Sequence, residues 1–570
     1  MNRKLPPFVK AESGINFKQP GREFTGLRIV LLPFLLFCAG LILLLRLFQL
    51  TIVKGSYYRF IAENNRLREV SLEGSRGTIY DRKGNKMAFS IKENSKKESD
   101  PDLYHRLYPD GEAFAHLIGY RKIASKEDIK NDGCKQSLKL NDKVGVKGIE
   151  ALFECHLRPK KGKKLVEVNA QGKIIKTVAM YPPQSGKPVK LSIDEDLQKK
   201  IHDIIINNAI TTSVDIKLSE KKLAVVAMKP STGEVLALYS YPTFDPQVFE
   251  DGSNKEKSAY LTDKTQPLFN RALLGTYPPG SVFKPILAAG ALQENAIKKD
   301  DIFIDEGFIK AGLSTFNNWY YTQYGRTEGE VNMVKALRRS TDTYFYKAGE
   351  KLTPEKIKVW AERFGLGKNT GIALESQTGV VPSDFWKRET IGERWYLGDT
   401  YNLSIGQGYL LTTPLHIARA TGVFANGGKL CTPQILKVDA SENKDLFNGS
   451  AINCKEMQLS SDVVETVREG MKGACSSGGT GWPFFNFEVA AEPQSEDASS
   501  SGQMKRVEVG CKTGTAESHA KSKIPHAWFT VFAPFEKPEI VLTVMVEEAG
   551  EGSNVAAPIA KEVLKWYLER

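Results

Sequence analysis

Residues 29–45 form a run of 17 uncharged and almost wholly apolar residues, bracketed by Arg28 and Arg46. As a helix it covers roughly 25 Å, and the flanking arginines can snorkel, so it is long enough to cross a bilayer once. A cleaved signal peptide is the competing reading. Against it, the run exceeds the usual apolar core of a signal, continues through Leu47, Phe48 and Leu50, and lacks a small-x-small cleavage site. Phe37 stands before Cys38, where a lipidation site needs a small residue. An uncleaved anchor is therefore expected. Arg3, Lys4, Lys10, Lys18, Arg22 and Arg28 precede the run, against only Glu12 and Glu23. That bias puts the N-terminus in the cytoplasm and the remaining chain outside the inner leaflet. The expected division is a cytoplasmic tail over 1–27, an anchor over 28–53, a small module over 54–187 and a large domain over 188–570.

A chain of 570 residues is too long for one core, so at least two folded parts follow. Its 41% hydrophobic and 26% charged content is that of a globular chain. The net charge of +12 could suggest nucleic acid. The basic residues are scattered, however, with no run of arginines interleaved with aromatics, so no nucleic acid partner is expected. A basic surface beside an anionic envelope fits better. Of seven cysteines, Cys38 lies in the apolar run, and the other six match no zinc spacing. Disulfides fit an oxidising envelope, with Cys134/Cys155 and Cys431/Cys454 the nearest pairs in sequence; buried free thiols fit equally.

After the anchor, residues 55–68 read as a helical stalk. Arg76-Gly77 and Asp81-Arg82-Lys83-Gly84 flank a short strand, residues 94–102 form a polar lysine-rich loop, and 166–178 form a hairpin turning at Gln171-Gly172. Within the large domain, 189–194 alternates as a strand and 195–210 carries helical periodicity. Residues 223–228 and 235–238 flank a turn, and a mainly helical section runs from 282 to about 419. A helix over 460–471, a polar insertion over 492–502, strands over 507–513, 527–532 and 540–547, and a helix over 557–567 complete the order. Strands split by a long helical insertion imply an α/β (α+β) domain with a central antiparallel sheet.

The chemistry centres on Pro278-Pro279-Gly280-Ser281-Val282-Phe283-Lys284. A serine at the mouth of an apolar helix with a lysine three residues on is a minimal activated nucleophile. Ser-x-x-Lys also occurs at Ser219, Ser441 and Ser518, but in polar surroundings. What singles out Ser281 is company downstream. Ser340-Thr341-Asp342 lies about 60 positions on, and Lys512-Thr513-Gly514-Thr515 near the end, on a strand whose alternation puts Lys512 and Gly514 on one face. Gly514 lets a substrate backbone lie close to that strand. His519 and His526 flank the third element without a carboxylate at evident spacing, so neither is expected to be catalytic. Trp319, Trp395 and Trp528 read as core or groove walls.

Ser-x-x-Lys, Ser-x-Asp and Lys-Thr-Gly in this order, with Arg76-Gly77, Asn270-Arg271-Ala272 and Ser404-Ile405-Gly406-Gln407-Gly408-Tyr409, resemble the class B penicillin-binding proteins. The Ser-Thr-Asp-Thr-Tyr-Phe-Tyr form of the second element resembles the elongation-type members. The resemblance implies a β-rich pedestal module ahead of a serine β-lactamase-like domain with a helical subdomain. It further implies D,D-transpeptidation of peptidoglycan stem peptides through an acyl-serine. Ser281 would be the nucleophile, Lys284 its base, Ser340 a proton relay and Lys512 a further catalytic group. Asp342 would orient the substrate or Lys284, and Thr513, Gly514 and Thr515 would hold the donor. Some relatives carry a zinc site beside the second element; Thr341 and Glu328 stand at its approximate positions, so no metal and no cofactor are expected.

The implied partners are lipid-linked glycan strands, β-lactams, a membrane glycan polymerase and elongation-complex proteins, at a bacterial cytoplasmic membrane. The membrane-distal head, over 91–107, looks short. A division-type transpeptidase and a β-lactam sensor or scaffold are the alternatives; as a sensor, the chain would need a larger cytoplasmic effector or more spans.

Overall fold

The structure is a computed structural model describing residues 26–93, 103–134, 138–169, 171–210, 214–437, 446, 452–490, 504–518 and 522–570. The tail up to residue 25, the lysine-rich loop 94–102, the polar insertion 492–502, the Ser441/Lys444 pair and His519 lie outside the described residues. The chain divides into two compact units, one running through Ser71 and taking in Lys163–Pro182, the other Leu72–Gly162 with Pro183–Arg570.

The first unit begins with helix α1, Gly26–Phe48, extended by a π-helical turn over Gln49–Val53. Its side chains from Val30 to Leu45 are mostly exposed, which suits a segment whose solvent is lipid. The stalk helix spans Gly55–Arg66, two residues short of the expected end at 68, and passes directly into a strand, Leu67–Leu72. Leu67, Val70 and Leu72 do not fix a period in so short a stretch. Pairing with Gly162–Val168, about a hundred residues away, decides it. That strand forms the expected hairpin with Ile174–Tyr181.

In the second unit the Arg76-Gly77 element is a buried charge cluster. Glu150 accepts from Arg76 Nε at 2.6 Å and Arg106 Nε at 2.8 Å, and Arg76 also reaches Glu154 at 2.6 Å. Burial opposes the Glu150 carboxylate, but the two guanidiniums outweigh it and hold its pKa at about 2. The strand expected over 189–194 is only Val189–Lys190, and it pairs with Ile79–Tyr80 of the module's own sheet.

The central sheet has five antiparallel strands: β1 (Leu223–Met228), β2 (Val235–Tyr241), β3 (Gly510–Ala516), β4 (His526–Ala533) and β5 (Ile540–Val546), in the order β2-β1-β5-β4-β3. Val225 and Ala227 of β1 pack with α2 (Glu195–Ile206) and α8 (Ala556–Leu568), while Ala224 and Val226 turn to the opposite side. Helices cover both faces, so β1 and β5 read as near-continuous apolar runs. A second core gathers α3 (Lys284–Gln293), α4 (Met333–Arg339), α5 (Asp342–Leu352), α6 (Pro414–Ala425) and α7 (Ser461–Ala474). Between α3 and α4 the expected helical run is broken by a small hairpin, Phe308–Ala311 with Ser314–Asn317, enclosed by an antiparallel pair, Phe303–Asp305 with Gly329–Val331. Strand β3 is an edge, and the turn bearing Ser281 packs against it. Disulfides join Cys134 to Cys155, Cys431 to Cys454 and, unforeseen from spacing, Cys475 to Cys511.

Candidate active site

Ser281 lies on a single 3-10 turn, Gly280–Phe283, that feeds α3. In such a turn residues three apart eclipse, so the serine and Lys284 fall on one side without an α-helical face. The turn is set by Gly280, whose N–H donates to the Gly406 carbonyl at 2.8 Å. Gly406 has φ +77°, and a Cβ there would fall 2.1 Å from the Gly280 oxygen, so only glycine permits this contact. Ser281 is half-buried and lines a cavity of about 920 Å³. Among the described residues its hydroxyl makes no hydrogen bond, to Lys284 or to any other side chain.

Lys284 is fully buried and points at the second element. Its Nζ donates to Asp342 Oδ1 at 2.6 Å, the Ser340 carbonyl at 2.7 Å and Ser340 Oγ at 3.1 Å. Ser340 sits between α4 and α5 with φ +56°, a left-handed conformation that turns its hydroxyl and carbonyl toward the amine. Asp342 opens α5 and is fixed from outside it. Its N–H donates to Asn318 Oδ1 at 3.1 Å, and its Oδ2 accepts from the Trp319 N–H at 2.9 Å.

From the other side, Lys512 Nζ donates to Ser340 Oγ and to the Thr513 carbonyl, both at 2.9 Å. One serine oxygen thus bridges two buried lysines. Burial pushes the Lys284 amine down while Asp342 pulls it up. Burial and the neighbouring Lys284 push Lys512 well below the ordinary lysine value, and Asp342, farther off, offsets less.

Strand β3 presents alternate backbone groups to its open edge. The Thr515 carbonyl accepts from Gln407 Nε2 at 3.2 Å on that side, so the Thr515 N–H faces the same way. Gly514 packs against the Ser281 turn: a Cβ there would meet Val282 Cγ1 at 3.0 Å and the Pro279 oxygen at 3.1 Å. Thr513 is buried and its hydroxyl lies 2.7 Å from that of Thr480. The cavity is therefore bounded by Ser281, Ser340, Asp342 and Thr513–Thr515, with Trp319 and Tyr346 among its aromatic walls.

All eight residues singled out from sequence converge in one place. Asn318 and Thr480 escaped that reading, because each acts through a tertiary contact with a motif residue and neither carries a spacing signature; Gln407 stands in the Ser404–Tyr409 element, and folding adds its contact with the Thr515 carbonyl. His526 accepts from the Glu548 N–H at 3.2 Å and stacks edge-on against Tyr277. Trp528 is wholly buried, and Trp395 packs on the helical core. Glu328 accepts from Arg339 Nε at 2.8 Å.

The family described as the penicillin binding protein transpeptidase domain matches residues 223–565, and that described as the penicillin-binding protein dimerisation domain matches 101–191. The peptidoglycan D,D-transpeptidase MrdA of Haemophilus influenzae is 30% identical, with 93% of this chain and 89% of the relative covered. Among solved structures, PBP2 of Pseudomonas aeruginosa in complex with WCK 5153 is 29% identical with a TM-score of 0.70, covering 88% of this chain and 97% of that one. PBP2 of Helicobacter pylori in complex with MreC is 26% identical with a TM-score of 0.71, covering 88% and 99%.

Proposed function

Because the chain belongs to the penicillin-binding protein transpeptidase family, we infer that it is a peptidoglycan D,D-transpeptidase of the elongation type. The observation that carries the reading at residue level is the Lys284–Ser340–Lys512 bridge beneath Ser281.

Ser281 Oγ attacks the penultimate D-alanine carbonyl of a donor stem peptide. The bond to the terminal D-alanine breaks, and the acyl group stays on Ser281 until an acceptor amine displaces it. Lys284 meets three acceptors, which suits a resting ammonium with its three donors. To act as base it must give up a proton, and the path on hand runs through Ser340 Oγ to Lys512, the amine that burial holds lower. A donor carboxylate arriving at Thr513 and Thr515 favours a charged Lys512, so substrate binding frees the Lys284 lone pair. Lys284 takes the Ser281 hydroxyl proton as the new C–O bond forms. Ser340 hands its own proton to the leaving amine and is reprotonated by Lys284 through their hydrogen bond. Backbone N–H groups of Ser281 and Thr515 receive the oxyanion, an arrangement in which one donor contributes about 3 kcal/mol. The donor backbone adds to the open edge of β3 as an extra strand.

The same acylation makes β-lactams inhibitors. The N-terminus lies in the cytoplasm and the catalytic domain outside the cytoplasmic membrane. Domain limits fall at 53/54 and 187/188. Residues 54–187 form a pedestal, and a separate membrane glycan polymerase supplies the strands. An MreC-like scaffold is the second partner, as for the Helicobacter pylori relative. The test supplies a D-Ala-D-Ala stem peptide and an acceptor amine to the full-length protein. A cross-linked product is expected; release of terminal D-alanine by hydrolysis alone would make the chain a carboxypeptidase instead.

A further inference from the structure

Thr480 belongs to none of the three motifs, yet it is held beside the third more firmly than a surface loop requires. It lies on the turn after α7, and that turn has three separate anchors. Cys475 is joined by a disulfide to Cys511, the residue before Lys512. Arg338 and Arg339, the two residues before Ser340, donate to the carbonyls of Ser477 and Gly478, the latter at 2.9 Å. The Gly481 N–H donates back to the Ala474 carbonyl at 2.8 Å. One anchor ties the turn to the third motif and one to the second, so Thr480 moves with both. Its hydroxyl meets the Thr513 hydroxyl at 2.7 Å, and both residues line the catalytic cavity.

Two hydroxyls in contact share one proton between them and leave the other free. A carboxylate is an acceptor only. When it docks, Thr513 must donate outward, and its oxygen is then open to receive a proton from Thr480 behind it. A donor in that position both fixes the Thr513 rotamer and strengthens its outward hydrogen bond through cooperativity.

We propose that Thr480 is a positioning residue of the donor subsite, orienting the Thr513 hydroxyl toward the terminal carboxylate of the stem peptide. The proposal rests on the transpeptidase reading above. It implies that selectivity for a carboxylate-bearing donor is set partly outside the Lys-Thr-Gly strand, on a turn clamped by the Cys475–Cys511 disulfide.

The experiment measures acylation of the full-length protein by a fluorescent penicillin with a free carboxylate and by its carboxamide, for the wild type, Thr480→Val and Thr480→Ser. Thr480→Val is expected to slow acylation by the carboxylate reagent about tenfold. The carboxamide rate should stay within about twofold, and Thr480→Ser should restore most of the loss. An equal loss with both reagents, or no loss with either, overturns the proposal. Wild-type protein that takes no label on Ser281 overturns the transpeptidase reading itself, and this inference with it.

Discussion

Two lysines on one serine oxygen set the chemistry at the scale of residues, and they do so at a cost in stability. The Lys512 amine titrates below its ordinary value of 10.5 in the folded chain. Between the two values the unfolded chain binds more protons, so stability rises with pH and the buried amine is destabilising near neutrality. Lys512→Met should therefore stabilise the protein at pH 7, on the order of 1 kcal/mol in thermal or denaturant unfolding, while abolishing acylation. Asp342 acts in the opposite direction on both amines. Asp342→Asn lowers them further, so the acid limb of the acylation rate should move to lower pH as the maximal rate falls. Stopped-flow acylation across pH reads both, and an acid limb moving upward would contradict this assignment. Ser281, Ser340 and Lys512 were legible from sequence because each sits in a motif with fixed spacing. The contact of Lys284 with Asp342 was among the roles the resemblance implied, but its bonds to Ser340 were not legible, since the αL turn at Ser340 decides them and no local pattern announces it.

At the scale of elements, the site is a seam between an edge strand and a turn. Among the described residues strand β3 has no partner strand beyond it, the Ser281 turn lies alongside, and Gly406 holds that turn from behind. Gly406→Ala places a methyl against the Gly280 oxygen at positive φ and should cost about 2–4 kcal/mol. Acylation should fall more than stability explains, because the displaced residue neighbours the nucleophile; unchanged melting and labelling would show the contact to be dispensable. Four strands of the central sheet were readable as apolar runs bounded by turns and β3 from its Lys-Thr-Gly motif, and their limits shifted by a few residues at most. The small strand pairs before α4 were missed because 3-4 residue strands carry no period, and the Leu67–Leu72 strand because its partner is remote. The Cys475–Cys511 link joins residues 36 apart that only folding brings together.

At the scale of the whole molecule, an apolar helix precedes a catalytic domain rich in buried polar contacts. Proteolysis of spheroplasts from outside should degrade the catalytic domain and spare a tag on the N-terminus; protection of the domain would reverse the proposed topology. The anchor was the most legible feature, since lipid imposes length and apolarity on consecutive residues. How the first unit gathers its strands from 67–72 and 162–181 was not, because that depends on contacts across the intervening module. The central claim is that Ser281 is the acyl carrier of a penicillin-sensitive transpeptidase. Incubating the protein with a fluorescent penicillin and sequencing the labelled peptide by mass spectrometry tests it directly. The account predicts one adduct, on Ser281, absent from Ser281→Ala; no adduct, or an adduct on another serine, would contradict it.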